Sequence, residues 1–231
     1  MKLEKMTQVQ KKAEKRWYDD ACGTALALEF IGERWSLLIM RELMFGPRRF
    51  GEIKANLPGI SANVLTQRLE GLEEQGILVK RKLPSPGSVQ AYELTPWGLE
   101  AEPILQETGR WATRSMRHDP TLYLSPASCM MSFRTMIDRK LAQGLRITIG
   151  FRFPTDSFVG EVADGNIVIR RGETDRADVT FITDQSTLAL TIYGKAPFDE
   201  QEAAGVMTIE GDRAAAQQFA DLFNLPDKIA A

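Results

Sequence analysis

The stretch "PGISANVLTQRLEGLEEQG", residues 58–76, constrains the fold more than any other. Pro58-Gly59 is a turn signal, Ser61 is suited to cap the start of a helix, and Gly76 is suited to end one. At about 100° per residue, Leu65, Leu69 and Leu72 fall within about 60° of one another, so the helix between these caps must bury a leucine stripe. The opposite face is led by Asn63 and Gln67 and carries Glu70 and Glu74 further along, with Arg68 at the flank. Its polar surface is therefore uncharged at one end and acidic at the other.

The neighbours of this helix define a topology. Upstream, "TALALEFIGERWSLLIMRELMFG" has Leu28, Ile31, Trp35, Leu38, Ile39 and Leu43 at three- and four-residue steps, and reads as one helix or two closely joined, ending at Gly46-Pro47. A shorter helix follows in "RRFGEIKANL", with Phe50, Ile53 and Leu57 on one face. Downstream, "ILVKRKL" and "VQAYELT" read as strands, joined by a Pro-rich connection at residues 84–88. Thr95-Pro96 then caps a long helix in which Trp97, Ala101, Ile104, Thr108, Trp111 and Ser115 recur, with Pro103 expected to kink it. Residues 2–20, dense in Lys, Glu and Gln, suit an exposed arm or a peripheral helix. The order helix, helix, turn, helix, two-stranded ribbon, helix is that of a mainly α winged helix-turn-helix domain, assigned to residues 1–118.

Beyond His118-Asp119-Pro120 the texture changes. Ser125-Pro126 opens a helix with Met130, Phe133, Ile137 and Leu141 on one face, ended by Gly144. The strand-like runs "LRITIGFRF", "SFVGEVADG", "NIVIRRG" and "DVTFIT" follow, then helices after Asp184 and Asp212 with "GVMTIEG" between them. This is an α+β domain over residues 119–231, with helices packed on one face of a sheet.

Residue usage narrows the chemistry. Cys22 and Cys129 are far apart and form no CxxC pair, and His118 is the single histidine, so a disulfide framework, a thiolate zinc site or a Ser/His/Asp triad has little to build on. No carboxylate spacing suggests catalysis; neither a catalytic residue nor a cofactor or metal is expected. No apolar run approaches the length of a membrane helix and the start has no signal-peptide core, so no membrane partner and a cytoplasmic location are expected. Eighteen basic residues face fifteen acidic ones in residues 1–118, whereas eleven face sixteen beyond, so the first half is the one able to approach a polyanion.

Asn and Gln each present a donor and an acceptor in one amide, which suits the edge of adenine in the major groove of double-stranded DNA. The positive end of the helix, at Ser61, favours phosphate. Arg48 and Arg49 precede the first helix of the motif, and Lys80, Arg81 and Lys82 lie on the ribbon, places where a winged helix meets the phosphate backbone. The competing reading of the same helix is an ordinary solvated polar face.

The segments "IGERWSLLI" and "GPRRFGEIKANLPGIS", followed by "YELTPWG", closely resemble the HxlR family of bacterial winged-helix transcriptional regulators, relatives of the MarR regulators, over about Cys22 to Trp111. The resemblance implies a homodimer joined by terminal helices of the domain, with two recognition helices in successive major grooves. It also offers Cys22 as a sensor of electrophiles or oxidants, although Gly23 replaces the usual following proline and a structural role competes. The second half is similar to the sterol-carrier-protein-2 domain in a DG turn, an "ADVTF" strand, a helix ending in glycine, and an "IEGD" run before the last helix. That similarity implies an apolar tunnel for a hydrophobic effector, with Phe151, Phe153, Phe158, Phe181, Leu188, Ile192, Met207, Phe219 and Phe223 as lining candidates; plain core is the alternative for each. The reading is a dimeric sequence-specific regulator. Its main rival is a lipid-binding protein whose winged helix serves mainly dimerisation, and an enzyme built on the second domain is a third class.

Overall fold

The computed structural model of the protein describes residues 18–83 and 89–229. Most of the expected N-terminal arm and the ribbon tip at residues 84–88 lie outside the described residues. Helices α1 (Gly23–Ile31) and α2 (Ser36–Leu43) are separate. They are broken by a turn in which Trp35 takes a φ of 83°, a left-handed conformation that a bulky residue adopts only when its surroundings impose it. Arg68 supplies part of that restraint: its Nε donates to the Arg34 carbonyl at 3.2 Å and its guanidinium pairs with Glu33 at 2.8 Å.

Helices α3 (Phe50–Ala55) and α4 (Ala62–Glu74) lead into an antiparallel ribbon of β1 (Leu78–Leu83) and β2 (Val89–Leu94). In α4, Leu65, Leu69 and Leu72 are buried as the stripe requires, and the Ser61 hydroxyl accepts from the Val64 N–H at 3.2 Å. The expected long helix is two, α5 (Pro96–Leu99) and α6 (Glu102–Thr113). Pro103 thus falls in the first turn of α6, where its missing N–H has no helical partner to lose, and it starts a helix instead of kinking one. A methyl group at Gly98 would collide with the Ile77 carbonyl oxygen, so the glycine lets α5 lie on the root of the ribbon.

The second unit opens with α7 (Pro126–Met136), which stops well before Gly144, because Ile137 turns extended and bridges to Phe223. Strands β3 (Ile147–Arg152), β4 (Ser157–Ala163), β5 (Asn166–Arg171), β6 (Val179–Thr183) and β7 (Met207–Gly211) form one sheet in the order β5-β4-β3-β6-β7, parallel only between β3 and β6. Helices α8 (Gln185–Gly194) and α10 (Arg213–Asp221) follow their Asp caps as expected, while the short α9 (Phe198–Ala203) was not anticipated. Register sets Phe158, Phe151 and Phe181 side by side, so one face of the sheet carries a row of aromatic rings. Phe133 of α7 and Phe219 of α10 pack onto that row, with ring centroids 5.8 and 5.5 Å from Phe151.

The two units share packing and charge. Phe45, after α2, meets Phe158 edge-on at 5.5 Å, and the Arg134 guanidinium lies 4.5 Å above the Phe45 ring. Ser125 accepts from the Ser128 N–H to cap α7 and donates to the fully buried Glu42 carboxylate of α2 at 2.6 Å. Asp156, nearly buried, receives Arg48 from the first unit and Arg171 from the second, the latter at 3.1 Å. Removing the carboxylate would leave the mostly buried Arg171 guanidinium without an acceptor and Arg48 with only Glu52, at 3.6 Å. Asp156→Ala is therefore expected to destabilise the chain by about 3–5 kcal/mol in urea unfolding, whereas a loss under about 1 kcal/mol would show the cluster to be well hydrated.

Candidate nucleic-acid interface

Among the candidates on α4, Ser61, Asn63 and Gln67 are all exposed in its first two turns. Thr66, exposed between them and absent from the sequence-level assignment, belongs to the same face; its position three residues after Asn63 was the available signal. The helix offers its unpaired N–H groups at this end, so the polar amides stand beside a partial positive charge. Glu70 and Glu74 are exposed on later turns. Glu73 accepts from Lys80 Nζ at 2.6 Å, and that hydrogen bond is the first cause of the raised Lys80 pKa.

The basic candidates separate into two groups. Arg49, Arg81 and Lys82 are exposed, although Arg81 also pairs with Glu93 at 2.5 Å across the ribbon. Lys80 is exposed but engaged with Glu73. Arg48 faces inward. Its peptide exchanges two hydrogen bonds with Tyr92 at 2.9 and 2.8 Å, which aims the side chain at Asp156 in the second unit. Burial first, and then the like charge of Arg171, lower its pKa. Its expected phosphate contact is thus corrected to a contact between the two units. Arg68, partly exposed, is engaged with Glu33 and the Arg34 carbonyl beside the turn before α2.

Seven of the nine ligand-lining candidates of the second unit lie in its core, while Phe153 and Met207 border a shallow cleft with Pro154, Ile182 and Val206. Phe151, Phe158, Phe181, Leu188, Ile192, Phe219 and Phe223 have no exposed surface, and Phe153 and Met207 only traces. Phe219 and Phe223 approach to 4.8 Å between centroids and Phe181 and Phe219 to 5.9 Å, so the rings occupy the space a tunnel through them would need. An apolar cavity does exist in this unit, bordered by Leu122, Tyr123, Leu124, Met136, Leu190 and Tyr193. The sequence reading missed these residues because half of them sit in an irregular segment with no periodicity.

Cys22 is exposed at the N-cap of α1, and the Thr24 N–H leads the hydrogen bonding that lowers its thiol pKa. Cys129 is wholly buried on α7, and burial pushes its pKa well up. No cluster of three or more potential metal ligands occurs among the described residues, and no described helix is long and apolar enough to cross a membrane.

Comparison with known proteins divides the chain at the same place. Residues 30–120 match the HxlR-like helix-turn-helix family, and residues 117–229 match the alkyl sulfatase C-terminal family. The HTH-type transcriptional regulator YvaP of Bacillus subtilis is 39% identical over 87 residues, 38% of this chain and 81% of the relative. The HTH-type transcriptional regulator YodB of the same organism is 38% identical over 86 residues, 37% of this chain and 77% of the relative. The stereoselective inverting sec-alkylsulfatase Pisa1 from Pseudomonas sp. superposes with a TM-score of 0.41 at 21% identity, over 46% of this chain and 17% of the sulfatase. The second unit is thus an α+β domain with a five-stranded sheet, matched to an alkyl sulfatase C-terminal family; the sterol-carrier likeness stays with the sequence motifs.

The two cysteines differ enough in setting to be told apart chemically. Iodoacetamide is expected to alkylate Cys22 in the folded chain with a pH midpoint below that of free cysteine, while Cys129 reacts only after unfolding. A Cys22 midpoint at or above the free-thiol value would contradict this.

Proposed function

Because the chain belongs to the HxlR-like helix-turn-helix family, we propose that it is a homodimeric, sequence-specific DNA-binding regulator whose C-terminal α+β unit receives a hydrophobic effector. The observation that carries the DNA reading is the exposed, uncharged start of α4: Ser61, Asn63, Thr66 and Gln67 beside the positive end of the helix. Arg49, Arg81 and Lys82 are the side chains available to phosphate. They supply affinity that falls with salt, while the amides supply sequence preference.

The dimer is supported by apolar surface left uncovered in one chain. Helix α1 has no buried residue, although its sequence "GTALALEFI" is mostly apolar. Leu28 is half exposed and Trp111 of α6 is 78% exposed. A groove of about 760 Å³ runs between α1, the start of α2 and α6. A second copy covering these helices would remove that surface from water and set the two α4 helices at a fixed spacing. An exposed Cys22 at the edge of the same groove favours, as a second reading, a thiol whose modification is felt by the dimer.

Asn63→Ala or Gln67→Ala is expected to cost about 1–3 kcal/mol on the preferred site in gel-shift titrations and little on random DNA. Equal losses on both would refute base reading. Lys82→Ala should weaken all DNA alike and reduce the salt slope by about one unit, whereas Arg48→Ala should leave the slope unchanged. If no DNA is shifted at low salt while a lipid co-purifies, the lipid-binding alternative takes over. Leu28→Glu combined with Trp111→Glu is expected to sediment as a monomer where the parent chain is a dimer. A monomeric parent would end the dimer reading.

A further inference from the structure

We infer that the cavity between the end of α6, the connecting segment and α8 is the effector site, and that it takes an uncharged hydrophobic molecule of about a dozen heavy atoms. The inference rests on the regulator reading only for its consequence, not for the binding itself. The cavity measures about 360 Å³. At about 30 Å³ for each water-sized group, that is room for roughly twelve heavy atoms, and it lies within the range of natural ligand sites.

Its walls are apolar and partly uncovered. Leu122, Tyr123 and Leu190 are 67%, 53% and 42% exposed, while Met136 and Tyr193 form the deeper side. Such large apolar side chains around a concave space gain most when a ligand displaces their water. The polar groups within reach are already satisfied. Tyr193 donates to Ser132 Oγ at 3.0 Å, and Ser132 donates onward to the Cys129 carbonyl at 2.7 Å. At the mouth, Asp119 accepts from the Thr121 N–H and hydroxyl at 2.9 and 2.7 Å. Lys228 Nζ is held by the carbonyls of Thr113 and Ser115 at 2.8 and 3.1 Å and lies 3.3 Å from His118 Nδ1. Burial, then the Lys228 charge, lower the His118 pKa. At the mouth a carboxylate ligand would meet the Asp119 charge, and the Lys228 ammonium there is already held by two carbonyl oxygens, so an uncharged head group is favoured.

The same residues fasten α6. The Ile229 N–H donates to the Arg114 carbonyl at 2.8 Å, Arg114 Nε donates to the Asp227 carbonyl at 3.3 Å, and Leu225 of this tail lines the cavity. The Lys228 ammonium sits on the last carbonyls of α6, where a cation is favoured. A molecule in the cavity presses on the tail and the connecting segment together, and so on α6, whose Ile104 and Thr108 line the groove offered to a second copy. Such coupling requires the ligand to prefer one arrangement of α6 over another.

The test uses the full chain with 1-decanol and decanoate as probes in isothermal titration calorimetry. One decanol per chain is expected, with Kd about tenfold or more below that for decanoate. Ala189→Phe, which fills the cavity, and Leu190→Asp, at an exposed position that tolerates the change, should each raise the decanol Kd about tenfold or more. Absence of saturable decanol binding, equal or tighter decanoate binding, or two folded variants that bind like the parent would overturn the assignment. In parallel, saturating decanol should change the Kd for DNA from upstream of the chain's own coding sequence by about fivefold or more. Decanol binding with an unchanged DNA Kd would overturn the coupling, while no DNA binding with or without decanol would instead refute the regulator reading.

Discussion

Asp156 holds the molecule together across its two units. Its carboxylate, nearly excluded from water, lies between the guanidinium groups of Arg48 and Arg171, and burial lowers the pKa of Arg171 to about 10. The anion is the member the set cannot lose, since without it Arg171 has no carboxylate partner and Arg48 keeps only Glu52, at 3.6 Å. Arg48 is joined by its backbone to Tyr92 of the ribbon and by its side chain to the sheet. Ser125 and Glu42 form a second tie, between the N-cap of α7 and the end of α2. With Phe45 wedged against Phe158, the winged helix cannot turn on the α+β unit without breaking both ties.

The charge gradient along α4 acquires a local meaning. Glu73 pairs with Lys80, so part of the acidic half ties the helix to the first strand of its own ribbon. Glu70 and Glu74 stay exposed, and their charges limit how far the later turns can enter a groove lined by phosphates. In the proposed reading, base contact would thereby be confined to the first two turns, where Asn63, Thr66 and Gln67 stand.

Elements with strong periodicity and clear caps were legible in the sequence: α4 with its three leucines and Ser61, α8 after Asp184, α10 after Asp212, and the strands of the larger sheet. What escaped depended on contacts distant in sequence. Nothing local distinguishes Arg48 from Arg49, yet the bridge to Tyr92 sends one to Asp156 and leaves the other in water. The apolar residues assigned to a tunnel have the composition of a tunnel wall and of a core alike, and for Phe181, Phe219 and Phe223 the ring spacings favour the core. The cavity is bordered both by the irregular segment at Leu122 and Tyr123 and by a tail that bonds to Arg114 from more than a hundred residues later, a juxtaposition no local pattern announces.

The central claim is sequence-specific DNA binding through α4. Fluorescence anisotropy of the full chain at physiological salt, on its own upstream DNA and on a shuffled duplex of equal length, tests it most directly. The geometry predicts a Kd at least about 10³-fold lower on the upstream fragment, with both affinities falling as salt rises. Equal affinities for the two duplexes at every salt concentration would contradict it.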